Sequence, residues 1–134
     1  MSGAYLLLDR SRDSGARPDN QVHIWATGVM VPEALRASEE LRLDGVFASV
    51  WNCLSPDLVF RNWHRWSGRG TAPVVSVLDG HPSALAWVGA MLGVRGRPLG
   101  VTDYGQSGTP GELYRAFGID AEGIASAVFQ ALEG

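Results

Sequence analysis

Asp79 and His81, two residues apart in LDGHPSAL, are the best pair in the chain for acid–base work, since a carboxylate can orient or charge an imidazole. The same residues also read as turn and cap: Asp79 bonding its own loop, Gly80 turning the chain, His81 capping the helix behind Pro82. This second reading carries more weight. Asn52, Ser55 and Asp57 gather in VWNCLSPD, where Ser55 is better explained as a helix cap. Tyr104, Gln106 and Ser107 stand in TDYGQSGTPGEL, a tight turn with exposed backbone N–H groups that lacks the lysine of a phosphate-cradling loop. A dinucleotide site needs GxGxxG, and ATGVMVPEAL offers only Gly28. A helix N-terminus still attracts anions without a motif.

The remaining reactive types are less promising. Cys53 ends an apolar run, reads as a packing residue, and has no second cysteine to pair with. His23 falls inside a strand and reads as a satisfied packing residue. No His, Cys or carboxylate set has metal-ligand spacing, and GxSxG is absent. No cofactor or metal ligand is therefore assigned, and Asp79 and His81 stay the only catalytic candidates. The aromatics are a different matter. Trp51, Phe60, Trp63 and Trp66 crowd one stretch, with His64, Arg61 and Arg65 among them. Core packing is the first explanation and a partner surface the second, because exposed aromatics and arginines anchor interfaces.

The elements that must position these residues follow a repeated order of apolar run, polar loop, proline and helical pattern. The strands read as Val22–Ala26, Val46–Trp51, Val74–Leu78 and Leu99–Thr102, with helices opening at Pro32, Pro56, Pro82 and Pro110. Ser55 and Thr109 precede their prolines as N-caps, and Thr109 with Glu112 forms a capping box. A last helix after Asp120 carries the apolar stripe Ile124, Ala127, Val128, Ala131, Leu132. Strands that are apolar on successive residues belong to a parallel sheet covered on both faces. Gly3–Asp9 adds a strand, and the eleven-residue polar segment before Val22 is too short for a crossover helix. An antiparallel edge pair joined by a long hairpin loop is expected. The expectation is one α/β domain over residues 1–134, three-layered, with about five mostly parallel strands, one antiparallel edge strand, and about five helices.

Composition excludes several partners. The chain has 134 residues, 46% hydrophobic and 19% charged, with a net charge of −3. No basic run points to nucleic acid or an anionic membrane, and no segment approaches a membrane span or a signal peptide. The expectation is a cytoplasmic protein.

Four segments carry a family resemblance: GAYLLLDR, ATGVMVPEALRASEELRLDGVFASVWNCLSPD, VVSVLDGHPSALAWVGAMLG and LGVTDYGQSGTPGELYRAFGID. In their order and spacing they resemble the C-terminal domain of transketolase-like, thiamine-diphosphate-dependent enzymes. That group includes transketolase and the single-chain decarboxylating component of pyruvate dehydrogenase. The resemblance covers residues 3–133 and implies a structural and oligomerisation domain. In such enzymes the diphosphate and Mg²⁺ are held by one domain and the pyrimidine by another. Neither the metal-binding GDG…N motif nor a counterpart of the glutamate-bearing domain occurs here. By resemblance the chain binds no thiamine diphosphate alone and works with other domains or partner subunits, in a homo- or hetero-oligomer. The alternative is a stand-alone α/β module holding an anion or metabolite over Gly28, Asp79–His81 and Gly105–Ser107. A small hydrolase or isomerase using Asp79 and His81 is a third reading.

Overall fold

The computed structural model describes residues 2–101 and 110–133. Five strands form one sheet: β1 (Ala4–Leu8), β2 (Gln21–Ala26), β3 (Phe47–Cys53), β4 (Val74–Val77) and β5 (Gly96–Leu99), in the order β1-β3-β2-β4-β5. β1 runs antiparallel to β3, and every other pairing is parallel. The mixed α/β sheet with one antiparallel edge is the architecture expected from the sequence. The neighbour of β1 is not. A hairpin with β2 was expected, but β2 already has parallel partners on both sides and no free edge. β1 passes over to β3, with Leu6 opposite Trp51. Arg10 holds the chain there: its N–H donates to Ser49 Oγ (2.9 Å) on β3, and its Nε to the buried Ser38 Oγ (2.8 Å).

Helices α1 (Val31–Leu43) and α6 (Ala121–Glu133) cover one face of the sheet. Ala34, Ala37, Leu41, Ile124, Val128 and Ala131 meet Val22, Ile24, Val50 and Val75 there. Both helices have 13 residues, long enough to span the sheet; α6 presents the apolar stripe read from the sequence, and α1 buries Ala34, Ala37, Ser38 and Leu41. Asp120 Oδ1 caps α6 by accepting from the N–H of Gly123 at 2.9 Å.

The opposite face is covered by shorter pieces: α2 (Pro56–Arg61), α3 (Trp63–Trp66) and α4 (Val88–Leu92). Two helices expected to be continuous are broken. The first ends at Asn62, whose backbone N–H (3.1 Å) and side-chain amide (2.8 Å) both bond the Leu58 carbonyl, closing the turn as a C-cap. The second begins as a 3-10 turn over Pro82–Ala84, and Trp87 Nε1 donates to the Ala84 carbonyl (2.9 Å), the acceptor a continuing helix gives to residue 88. Ser55 caps α2 as expected, accepting from Leu58 N–H at 3.2 Å.

The fifth strand also departs from the expected Leu99–Thr102, starting three residues earlier at Gly96. Its RGRPL sequence looks like a loop, yet an outermost strand tolerates Pro98 because one row of N–H groups is unpaired anyway. Gly96 lies where a Cβ would come within 3.2 Å of Gly89 Cα, so this strand packs onto α4 backbone to backbone. Helix α5 (Pro110–Ala116) opens at the proline that marked it. The Thr109 cap, its box with Glu112, and Tyr104, Gln106 and Ser107 all involve positions outside the described residues.

Candidate functional site

The loops beyond the C-terminal strand ends are where sheets of this kind hold ligands. At β4 that loop carries Asp79 and His81, both exposed. The His81 ring turns to its own helix start: Nδ1 lies 2.8 Å from Ser83 Oγ and accepts from Ser83 N–H at 3.2 Å. No bond joins His81 to Asp79 among the described residues. At β3 Asn52 lies within the strand, bonded through its amide to Tyr5 Oη (3.1 Å) on β1, and the loop beyond it carries Ser55, occupied as a cap. Cys53 is buried, and burial pushes its thiol up to about 11, leaving it protonated and a poor nucleophile at neutral pH. Among the described residues no three His, Cys, Asp or Glu side chains gather into a metal-holding group. The described residues at these strand ends therefore offer no donor set that suits a magnesium diphosphate.

The aromatics named from the sequence fall into two groups. Phe60 stands edge-on to Trp63 (5.7 Å) and to Trp87 (5.2 Å), which local spacing had not suggested, and the two indoles lie tilted at 34° with centroids 6.0 Å apart. Phe60 stays 54% exposed, so this cluster forms a ledge on the surface. Trp51 and Trp66 lie elsewhere, around Trp25 of the central strand. Trp25 stacks on Trp51 at 5.3 Å and 17°, and Trp66 stands edge-on to both at 5.2 and 5.6 Å. Register explains the stack: Trp25 and Trp51 are direct partners on adjacent strands, a relation invisible to local spacing.

These three indoles border a cavity of about 380 Å³. His23, one pleat along from Trp25, also lines it. Its Nδ1 accepts from Trp51 Nε1 at 2.9 Å, which puts the imidazole proton on Nε2, 3.5 Å from Thr71 Oγ1. Burial holds the His23 imidazole below its ordinary pKa, partly offset by the Asp9 carboxylate. A histidine kept neutral in the folded state but free to charge when unfolded makes the folded state lose stability as pH falls through the ordinary histidine range. Unfolding midpoints measured from pH 7.5 down to about 5 should therefore decline. His23→Asn, which keeps an acceptor for Trp51, should flatten that decline; an unchanged slope would contradict this assignment.

The described fold is that of a three-layer α/β domain with one reversed edge strand. The model of the transketolase-like TK C-terminal domain matches residues 3–120. The 6-deoxy-6-sulfo-D-fructose transketolase subunit SqwH of Clostridium sp. (strain MSTE9) is 36% identical over 124 residues, covering 87% of this chain and 38% of that protein. The putative transketolase C-terminal section of Methanocaldococcus jannaschii is 32% identical over 115 residues, covering 82% and 36%. Among solved structures, a split-gene transketolase described as an inactive beta4 tetramer superposes with a TM-score of 0.75 at 25% identity, covering 99% of this chain and 43% of that one. The chain belongs to the transketolase C-terminal domain family. It spans only 18% of the length of Transketolase 10 from Craterostigma plantagineum, a full-length relative that it matches. No described helix is long and apolar enough to cross a membrane.

Proposed function

We propose that this chain is the C-terminal section of a transketolase-type, thiamine-diphosphate-dependent enzyme, and that it acts by docking onto the sections that hold the cofactor. The observation that carries this reading is the extent of the match. Nearly the whole chain aligns, yet it accounts for 38% of a transketolase subunit and 36% of a C-terminal section. The relatives named are transketolases, which favours that activity over a pyruvate-dehydrogenase type. The inactive tetramer of the split-gene enzyme supports a section that needs partners in order to turn over. Within this chain His81 is committed to Ser83 and Cys53 is protonated, so support is a better role for it than catalysis.

The docking surface we assign is the ledge of exposed Phe60 with half-buried Trp63 and Trp87, an aromatic cluster of the kind that anchors interfaces. The test mixes this chain with the remaining transketolase sections of the same cell and measures both association and turnover of a ketose donor. Turnover should require the mixture. Phe60→Ser should weaken association about tenfold or more while costing the isolated chain less than about 1 kcal/mol. Undiminished turnover by the other sections alone, or unaltered association of the variant, would overturn the docking role.

A further inference from the structure

The cavity beside Trp25 lies away from the strand ends at which ligands of such sheets usually sit, and the docking role leaves it unexplained. It is open because the covering pieces on this face are short. α2 has six residues and α3 has four, against thirteen in each helix of the other layer. Its volume of about 380 Å³ falls within the range of small-molecule pockets. Trp51 and Trp66 are only partly buried and offer indole surface to it, while Trp25 is 1% exposed and braces them from behind. Such walls favour a flat, apolar body.

The charged side chains among the described lining residues are both basic. Arg65 and Arg69 both line it, both are exposed, and neither makes an ion pair with a described residue. No described Asp or Glu lines it, and the one described carboxylate acting on its wall is Asp9, through His23. Two guanidiniums at the edge of an aromatic slot can grip a carboxylate with paired N–H donors, and they stack on aromatic planes as a lysine does not. His23 adds a neutral imidazole whose Nε2 proton is directed at nothing closer than Thr71 Oγ1 at 3.5 Å.

We propose that this cavity is a binding site for a small planar aromatic carboxylate, with its ring against Trp51 and Trp66 and its charge on Arg65 and Arg69. The proposal is independent of the docking role, because the ledge residues Phe60, Trp63 and Trp87 take no part in it. The chain's five tryptophans divide cleanly into three at the cavity and two at the ledge, so their indole N–H resonances report on each site separately. The 134-residue chain is labelled on its indole nitrogens and titrated with 2-naphthoate, with the neutral 2-naphthol, and with inorganic phosphate. Naphthoate should shift the Trp25, Trp51 and Trp66 resonances saturably and leave Trp63 and Trp87 in place. Naphthol should bind about tenfold more weakly, and phosphate alone should not reproduce the shifts. The double variant Arg65→Ala, Arg69→Ala alters exposed side chains, keeps a dispersed spectrum, and should lower naphthoate affinity to that of naphthol. Absence of saturable shifts, or shifts confined to Trp63 and Trp87, would overturn the site. Equal binding of naphthol, undiminished binding by the double variant, or phosphate acting as well as naphthoate would overturn the ligand class.

Discussion

Trp25→Ala should cost the domain about 3–5 kcal/mol, the range for removing a large aromatic from a packed interior. Trp25 sits on the central strand, 1% exposed, and belongs to the second core with Val59, Val74, Leu85, Val88 and Met91. Its ring is also the piece on which Trp51 stacks and against which Trp66 stands. Each such aromatic pair contributes roughly 0.5–1.5 kcal/mol beyond buried area. The short helices on this face cannot close over the gap, because α3 is a single turn anchored by Trp66 itself. Against a total stability of about 5–15 kcal/mol, the loss removes a large share. Trp25→Phe should be much milder. It keeps a ring on Trp51 and deletes a buried indole N–H that has no acceptor. Urea unfolding of the three proteins with an unchanged slope checks the ranking, and an alanine variant within about 1 kcal/mol of the parent would contradict it.

The second large effect is at Gly123, where the usual rule reverses. In an ordinary helix Gly→Ala gains up to about 1 kcal/mol. Here α5 ends in Gly118, left-handed at φ 68°, with the Ile119 N–H returning to the Tyr114 carbonyl at 2.8 Å and the Gly118 N–H to the Arg115 carbonyl at 3.2 Å. That tight reversal lays the Gly118 carbonyl directly over Gly123, and an added Cβ would overlap it. The obstacle is backbone rather than the end of a flexible side chain. Asp120 must also keep its bond to the Gly123 N–H for the cap to survive. Gly123→Ala should therefore destabilise by roughly 2–3 kcal/mol, seen as a drop of several degrees in thermal midpoint. A raised midpoint would show that α5 and α6 do not meet in this way.

How much of this could be read from the sequence depended on whether the determining contact was local. The prolines at 32, 56 and 110 marked helix starts, and the apolar runs ahead of Pro32, Pro56 and Pro82 marked β2, β3 and β4, because their causes lie within a few residues; the run before Pro110 did not mark β5, and Pro82 opens only a 3-10 turn. Ser55 was legible as a cap for the same reason. The partner of β1 was not, since it depends on which strand has a free edge after the sheet is assembled. The break at Trp87 comes from a side chain taking a backbone acceptor and the one at Asn62 from a side-chain amide capping the turn, events that apolar periodicity does not register. The candidate interface Trp51, Phe60, Trp63 and Trp66 was recognised as aromatic crowding. Its division into ledge and cavity required Trp25 and Trp87, brought in by strand register and by the fold of α4. His23 lay hidden because a histidine within a strand looks like any other packing residue until its bond to Trp51 is seen.

In the role proposed for it, this domain supports a thiamine-diphosphate enzyme without holding the cofactor itself. Isothermal titration of thiamine diphosphate with Mg²⁺ into the 134-residue chain tests it most directly. Heats that match dilution are expected, with binding appearing only once the remaining transketolase sections are added. Saturable micromolar binding by the chain alone would contradict it.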